Sequence, residues 1–227
     1  MTLSQRPFQG VFIVLEGIDG AGTTTHAKRL AKTLSKQGRD VRLTCEPTTG
    51  PVGGLIRQVL QKRLFVPGSA GPRAFAWSTM ALLFAADRLD HLDSFVVPAL
   101  REGAVVVSDR YDISSLAYQS VTAPEEESAV EWIRKLNARA LRPNLTLVLD
   151  IPAERAAERR RARGSTEELF EDPVIQRRLV EVYDHAEALV PDDHVVHLSS
   201  DRDVDEVATS ILEAVIPLLD EKRPRPD

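Results

Sequence analysis

The residues best suited to chemistry lie near the N-terminus, where Gly17, Ile18, Asp19, Gly20, Ala21, Gly22, Thr23 and Thr24 are followed by Thr25. Glycines at 17, 20 and 22 let backbone N–H groups curl around an anion without obstruction from Cβ atoms. The apolar run Val11 to Leu15 precedes them. Thr24 to Gln37 follows, with apolar residues at Ala27, Leu30, Ala31 and Leu34, a helical spacing closed by Gly38. Strand, glycine loop and helix in that order match the phosphate-loop pattern G-x-x-x-x-G-K-[ST], with the helix N-terminus adding its dipole and Thr24 the metal-binding hydroxyl. A tight strand-to-helix turn is the alternative use of such glycines, but the setting favours phosphate.

Thr23 departs from the pattern, which there carries the lysine that reaches the β- and γ-phosphates. Lys28 and Lys32 are carried away from the loop by the rise of the helix and cannot stand in. Binding and transfer are therefore separate questions, because backbone amides hold phosphate without helping it move.

Further candidates are spread along the chain. Phe84 and Arg88, four apart on a predicted helix, share a face and could grip one flat ligand, although core packing and a solvated arginine would fit an isolated pair. Asp109 and Arg110 follow the apolar run Ala104 to Ser108, and Arg110 offers a bidentate fork to a phosphate. Asp109 could orient that arginine or contribute to a metal shell. Arg159, Arg161 and Arg163 end another predicted helix, where they could complement its dipole or face a ligand.

The elements that must position these residues alternate. Val41 to Thr44, Ala104 to Ser108, Leu145 to Leu149 and Val195 to Leu198 join Val11 to Leu15 as strands, and Val52 to Leu60 and Pro72 to Arg101 read as helices, the latter one or two. The pattern predicts a three-layer α/β fold with a five-stranded, mainly parallel sheet and helices on both faces, binding ligands at the carboxyl ends of the strands. A single domain over residues 9–220 is expected, with flexible ends at 1–8 and 221–227.

Composition narrows the function. A net charge of -5 over 227 residues argues against a polymeric nucleic acid as partner, because such binding needs a basic face. One cysteine, Cys45, allows neither an intrachain disulfide nor a cysteine metal cluster. The apolar-rich segment Ala74 to Ala86 is interrupted by Ser78 and Thr79, and the N-terminus lacks a signal-peptide pattern, so a cytoplasmic protein without a membrane span is expected.

Four segments together, LEGIDGAG (15–22), EPTTGPVG (46–53), LLFAADR (82–88) and DRYDISSLAYQ (109–119), resemble thymidylate kinases. The resemblance implies a P-loop NTPase fold and transfer of a phosphoryl group from ATP to dTMP, with Mg²⁺, giving ADP and dTDP for dTTP biosynthesis. Gly17, Gly20, Ala21, Gly22, Thr23, Thr24 and Thr25 would hold the ATP phosphates, and Thr24 and Asp109 the metal. Asp19 matches a catalytic position whose carboxylate lies near the acceptor sugar and Mg²⁺, Phe84 the base-stacking residue and Arg88 the donor to a pyrimidine carbonyl. Arg110 with Asp109 matches the acceptor-phosphate site, Ser115 the pyrimidine edge and Tyr118 the sugar's 2′ side; Gln119 and Glu46 are further acceptor contacts. Cys45 stands where the family often has arginine. Residues 159–172 resemble the family's lid, in which Arg159, Arg161 and Arg163 match positions supplying catalytic charge. The resemblance also implies a homodimer, to which Phe75, Leu82 and Leu83 could contribute. Thr23 keeps open a nucleotide-binding protein with little kinase activity, and a kinase for another nucleoside monophosphate also remains.

Overall fold

A computed structural model describes residues 8–69, 71–164 and 169–221. Its five strands, β1 (Val11–Glu16), β2 (Val41–Cys45), β3 (Val105–Asp109), β4 (Leu145–Asp150) and β5 (Val195–Ser199), form one sheet in the order β2-β3-β1-β4-β5. All four pairings are parallel, so each return to the sheet uses a crossover. Central β1 is buried at every residue, as its unbroken apolar run predicts, whereas β2 and β5, carrying Arg42 and His197, are partly exposed edges.

Ten α-helices surround the sheet among the described residues: α1 (Thr23–Lys36), α2 (Pro51–Leu60), α3 (Trp77–His91), α4 (Val97–Arg101), α5 (Asp112–Val121), α6 (Glu126–Leu136), α7 (Ala153–Arg163), α8 (Pro173–Tyr183), α9 (Ala186–Leu189) and α10 (Val204–Glu221). Strand alternation decides which helix packs where. Val11, Ile13 and Leu15 of β1 face a core shared with Leu30, Leu116 and Ile211 of α1, α5 and α10. Phe12 and Val14 point the other way, onto Leu92, Val96 and Leu100. Both faces are thus covered, as the alternation of elements predicts.

The segment expected to be helical from Pro72 begins its helix at Trp77. Val66 and Arg73 instead exchange backbone hydrogen bonds of 2.9 Å in an antiparallel bridge, and Ala76 is extended at the helix entry. Between α3 and α4 the helix widens into a π turn at Leu92–Val96, just before Pro98, which has no N–H to offer the preceding turn. Of the ends expected to be flexible, 1–8 and 221–227, all but Phe8, which packs against the core, and Glu221, the last residue of α10, lie outside the described residues. No helix among the described residues is long and apolar enough to cross a membrane.

Candidate active site

The glycine loop leaves β1 at the middle of the sheet and ends on Gly22, the left-handed N-cap of α1 (φ 97°), which makes no side-chain cap bond. The first N–H groups of α1 are therefore available to an anion. Gly20 is required sterically, since a Cβ there would lie 2.5 Å from the Ala156 carbonyl and its φ is +101°. That close approach presses the loop against α7.

Buried Glu16 holds the neighbouring segment in place. Its Oε1 accepts from the Tyr111 and Ser114 N–H groups at 2.8 and 3.1 Å, and its Oε2 from the Ser114 and Tyr183 hydroxyls at 2.6 and 3.0 Å. Burial raises its pKa; the Arg110 charge and these hydrogen bonds act in the opposite direction. The start of α5 is thereby tied to the end of β1.

Arg110 sits between them with φ at 74°, unusual for a residue with a side chain. Neighbours fix this conformation: its N–H donates to the Leu15 carbonyl at 2.9 Å, and its own carbonyl accepts from the Ser108 hydroxyl at 2.8 Å. The guanidinium donates to the Gly17 carbonyl (2.7 Å), the Ser114 hydroxyl (3.0 Å) and the Asp19 carboxylate (2.6 Å). One cation thus joins the phosphate loop to the DRY segment.

Thr24 donates to Asp109 Oδ2 at 2.5 Å, and Asp109 Oδ1 is buried without a protein partner. An oxygen pair of this kind at a helix N-terminus suits a hard divalent cation that takes its other ligands from phosphate and water. No cluster of three or more His, Cys, Asp or Glu side chains among the described residues could hold a metal independently of a ligand.

These groups face a cavity of about 320 Å³. Of the predicted residues, Asp19, Thr24, Glu46, Phe84, Asp109 and Arg110 line it, together with Tyr118 and Gln119. Gln119 is 1% exposed, and both of its amide atoms are buried without a partner. Unpaired polar atoms on a cavity wall mark a place where a ligand can complete the hydrogen bonding.

Arg88 and Ser115 are not in the lining. Arg88 is 1% exposed and donates to Glu46, Asn137, the Tyr111 carbonyl and the Ser115 hydroxyl. The expected donor to a carbonyl is thus the centre of a polar cluster behind the wall, and Ser115 is one of its partners. His91 supports the same cluster through Glu46, at 3.0 Å. A sequence reading can place Phe84 and Arg88 on one helix face but not show that the arginine's partners come from three other segments.

The arginine run divides likewise. Arg159 donates to the Ser200 carbonyl at 2.7 Å and reaches the Ala21 carbonyl at 3.5 Å, beside the phosphate loop. Arg161 and Arg163 are exposed. Arg160, absent from the predicted set, is the buried member and turns to the Asp19 carbonyl and to Gln176. Residues 165–168 of the expected lid lie outside the described residues.

Arg57 was also missed. It lines the cavity, donates to the Pro47 carbonyl at 2.5 Å and approaches the Cys45 sulfur at 3.9 Å. Its signal in the sequence was modest: it is the only charged residue of α2, which begins just after the EPTTG segment.

A phosphate loop at the centre of a parallel sheet, with a cation-lined cavity beside it, defines the P-loop class of nucleotide-binding proteins. The family model described as thymidylate kinase matches residues 15–211, and the chain belongs to that family. A probable thymidylate kinase of Pyrococcus abyssi is 43% identical over 171 residues, covering 75% of this chain and 80% of its own length. One from Thermococcus kodakarensis is 37% identical, covering 93% of this chain and 100% of its own length. A thymidylate kinase of Xanthomonas oryzae is 38% identical over 89% of this chain and 82% of its own length.

Proposed function

We infer that the chain transfers the γ-phosphoryl group of ATP to dTMP, forming dTDP and ADP. Besides family membership, the observation that carries this reading is the shared wall between phosphate loop and cavity. Arg110 binds the Gly17 carbonyl and the Asp19 carboxylate while lining the space an acceptor would occupy.

In this reading the N–H groups of Gly20 and of Gly22 to Thr25 cradle the donor phosphates, while the Ala21 N–H closes the loop on the Ile18 carbonyl at 3.0 Å. Thr24 and Asp109 would hold Mg²⁺, which when bound would supply positive charge against the donor phosphates. Arg110 and Arg57 receive the acceptor phosphate, so Arg57 supplies charge that Cys45 lacks. The base lies against Phe84 with its imide edge at Gln119, whose amide offers both a donor and an acceptor. Tyr118 crowds the sugar, Asp19 keeps Arg110 oriented, and Arg88 acts through Glu46 and Ser115. The acceptor phosphate is itself the nucleophile and is largely ionised at neutral pH, so no general base is needed.

Thr23 leaves the positive charge to Mg²⁺, Arg110 and the arginines of α7, of which Arg159 lies nearest the loop. We further propose a single kinase domain over residues 9–220, a cytoplasmic location, no polymeric nucleic acid partner and a homodimer formed through exposed leucines of α3. A coupled assay with ATP, Mg²⁺ and dTMP tests the activity. Tight dTMP binding without turnover would favour a binding protein, and comparison of dTMP with dUMP, dCMP and the ribonucleotide would test the roles of Gln119 and Tyr118.

A further inference from the structure

By resemblance, Arg159, Arg161 and Arg163 are the members of the arginine run that match positions supplying catalytic charge. The structure turns a different residue inward. Arg160 is 7% exposed; its Nη1 donates to the Asp19 backbone carbonyl and, at 3.1 Å, to Gln176 Oε1. Its Nε lies 3.9 Å from the Glu171 carboxylate.

Both ends of this contact lead to the cavity. On one side Asp19 belongs to the phosphate loop, and its carboxylate accepts from Arg110 at 2.6 Å. On the other, Gln176 is 1% exposed and donates from Nε2 to the Phe170 carbonyl at 2.8 Å. Phe170 lines the cavity and meets Tyr118 with ring centroids 5.5 Å apart. A continuous set of contacts therefore runs from Arg110 through Asp19, Arg160 and Gln176 to Phe170, joining two walls through a side chain that does not itself line the cavity.

We propose that Arg160 is a positioning residue that sets the spacing between the phosphate loop and the Phe170 wall, and thereby the fit of the acceptor nucleotide. A buried guanidinium suits this task because its fixed fork serves a carbonyl, an amide oxygen and a carboxylate at once. Lysine could keep the charge but not the fork. Removing the side chain leaves the Asp19 carbonyl and Gln176 Oε1 without this donor, and the two walls lose their common reference.

The proposal rests on the reading of the cavity as the dTMP site, so its test has a readout that needs no nucleotide. In unliganded Arg160→Ala, hydrogen exchange is expected to rise in both Asp19–Gly22 and Phe170–Gln176 relative to wild type. Titration calorimetry with dTMP should give a Kd raised roughly tenfold, the loss expected for a buried charge-assisted contact, with ATP affinity changed less than about threefold. Arg160→Lys should fall between, and guanidinium ion well below denaturing concentrations should partly restore dTMP binding to the alanine variant. Gln176→Ala should weaken dTMP binding in wild type and add little in the Arg160→Ala background, since both act through one path.

Unchanged exchange at either wall would overturn the link. Lowered thermal stability with dTMP affinity intact, or equal losses for dTMP and ATP, would reduce Arg160 to ordinary packing and also overturn it. If Arg160→Ala does not fold, Arg160→Lys and Gln176→Ala give the same exchange and binding comparisons. Failure of wild type to bind dTMP would instead refute the acceptor assignment, while the exchange result would still decide the link.

Discussion

At position 23 a hydroxyl stands where the phosphate-loop pattern carries an ammonium group, and the side chain is 5% exposed at the first residue of α1. A lysine from the same backbone position would add a donor preorganised toward the transferring phosphoryl group. Losing one such donor typically costs about 10²- to 10³-fold in rate. Thr23→Lys is therefore expected to raise kcat, by up to about that factor, with dTMP affinity unchanged. An unchanged kcat would show that charge from Arg159 or its neighbours already replaces the lysine. Arg110 allows a second residue-scale test. If Arg110 receives the acceptor phosphate as proposed, Arg110→Ala removes a charge-assisted contact worth about 1.5–3 kcal/mol, so dTMP affinity should fall roughly 10- to 150-fold and ATP affinity far less. Equal losses for both nucleotides would count against an acceptor role. Much of this was legible in the sequence, because the glycine loop and the Asp109–Arg110 pair follow directly from strands and so lie at their carboxyl ends. Arg57 and Arg160 were not, since each gains its place from partners distant in the chain or from a turn of helix phase that a run of arginines conceals.

The elements around Glu16 show how an apolar strand can end in a functional group. β1 delivers a fully buried carboxylate to the N-terminus of α5, where two N–H groups and two hydroxyls receive it. Burial makes the folded state hold a proton on Glu16 more tightly than the unfolded chain, whose carboxyl has an ordinary pKa near 4.5. The stability contributed by that preference is full below pH 4.5 and is lost as pH rises through the folded value. Glu16→Gln keeps an acceptor for the N–H groups and places an amide opposite two hydroxyls that can also accept, while removing the titration. The thermal midpoint of wild type relative to Glu16→Gln should therefore decline as pH rises from 4.5. A difference independent of pH would mean that hydrogen bonding, rather than the buried charge, governs this position.

For the whole molecule, α3 combines buried polar residues with exposed leucines. Its buried residues include Asp87, Arg88 and His91, which support the cavity, while Leu82 and Leu89, seven apart and so on one stripe, are 51% and 41% exposed. Phe95, just beyond in the π turn, is 38% exposed. The sequence alone grouped Phe75, Leu82 and Leu83 without separating interface from core; in the structure Phe75 and Leu83 pack against Ile56, Val59 and Met80, leaving Leu82 outward. The homodimer proposed above would cover Leu82 and Leu89, since exposed apolar surface can mark an interaction face. Leu82→Glu combined with Leu89→Glu would place like charges across such a two-fold interface, where desolvating them is costly. Sedimentation equilibrium should then give a monomer for the double variant and a dimer for wild type. Because the same helix carries Phe84 and Arg88 to the site, the monomer should also bind dTMP more weakly, linking assembly to the acceptor pocket. A wild-type monomer, or a dimer insensitive to both substitutions, would remove α3 as the interface.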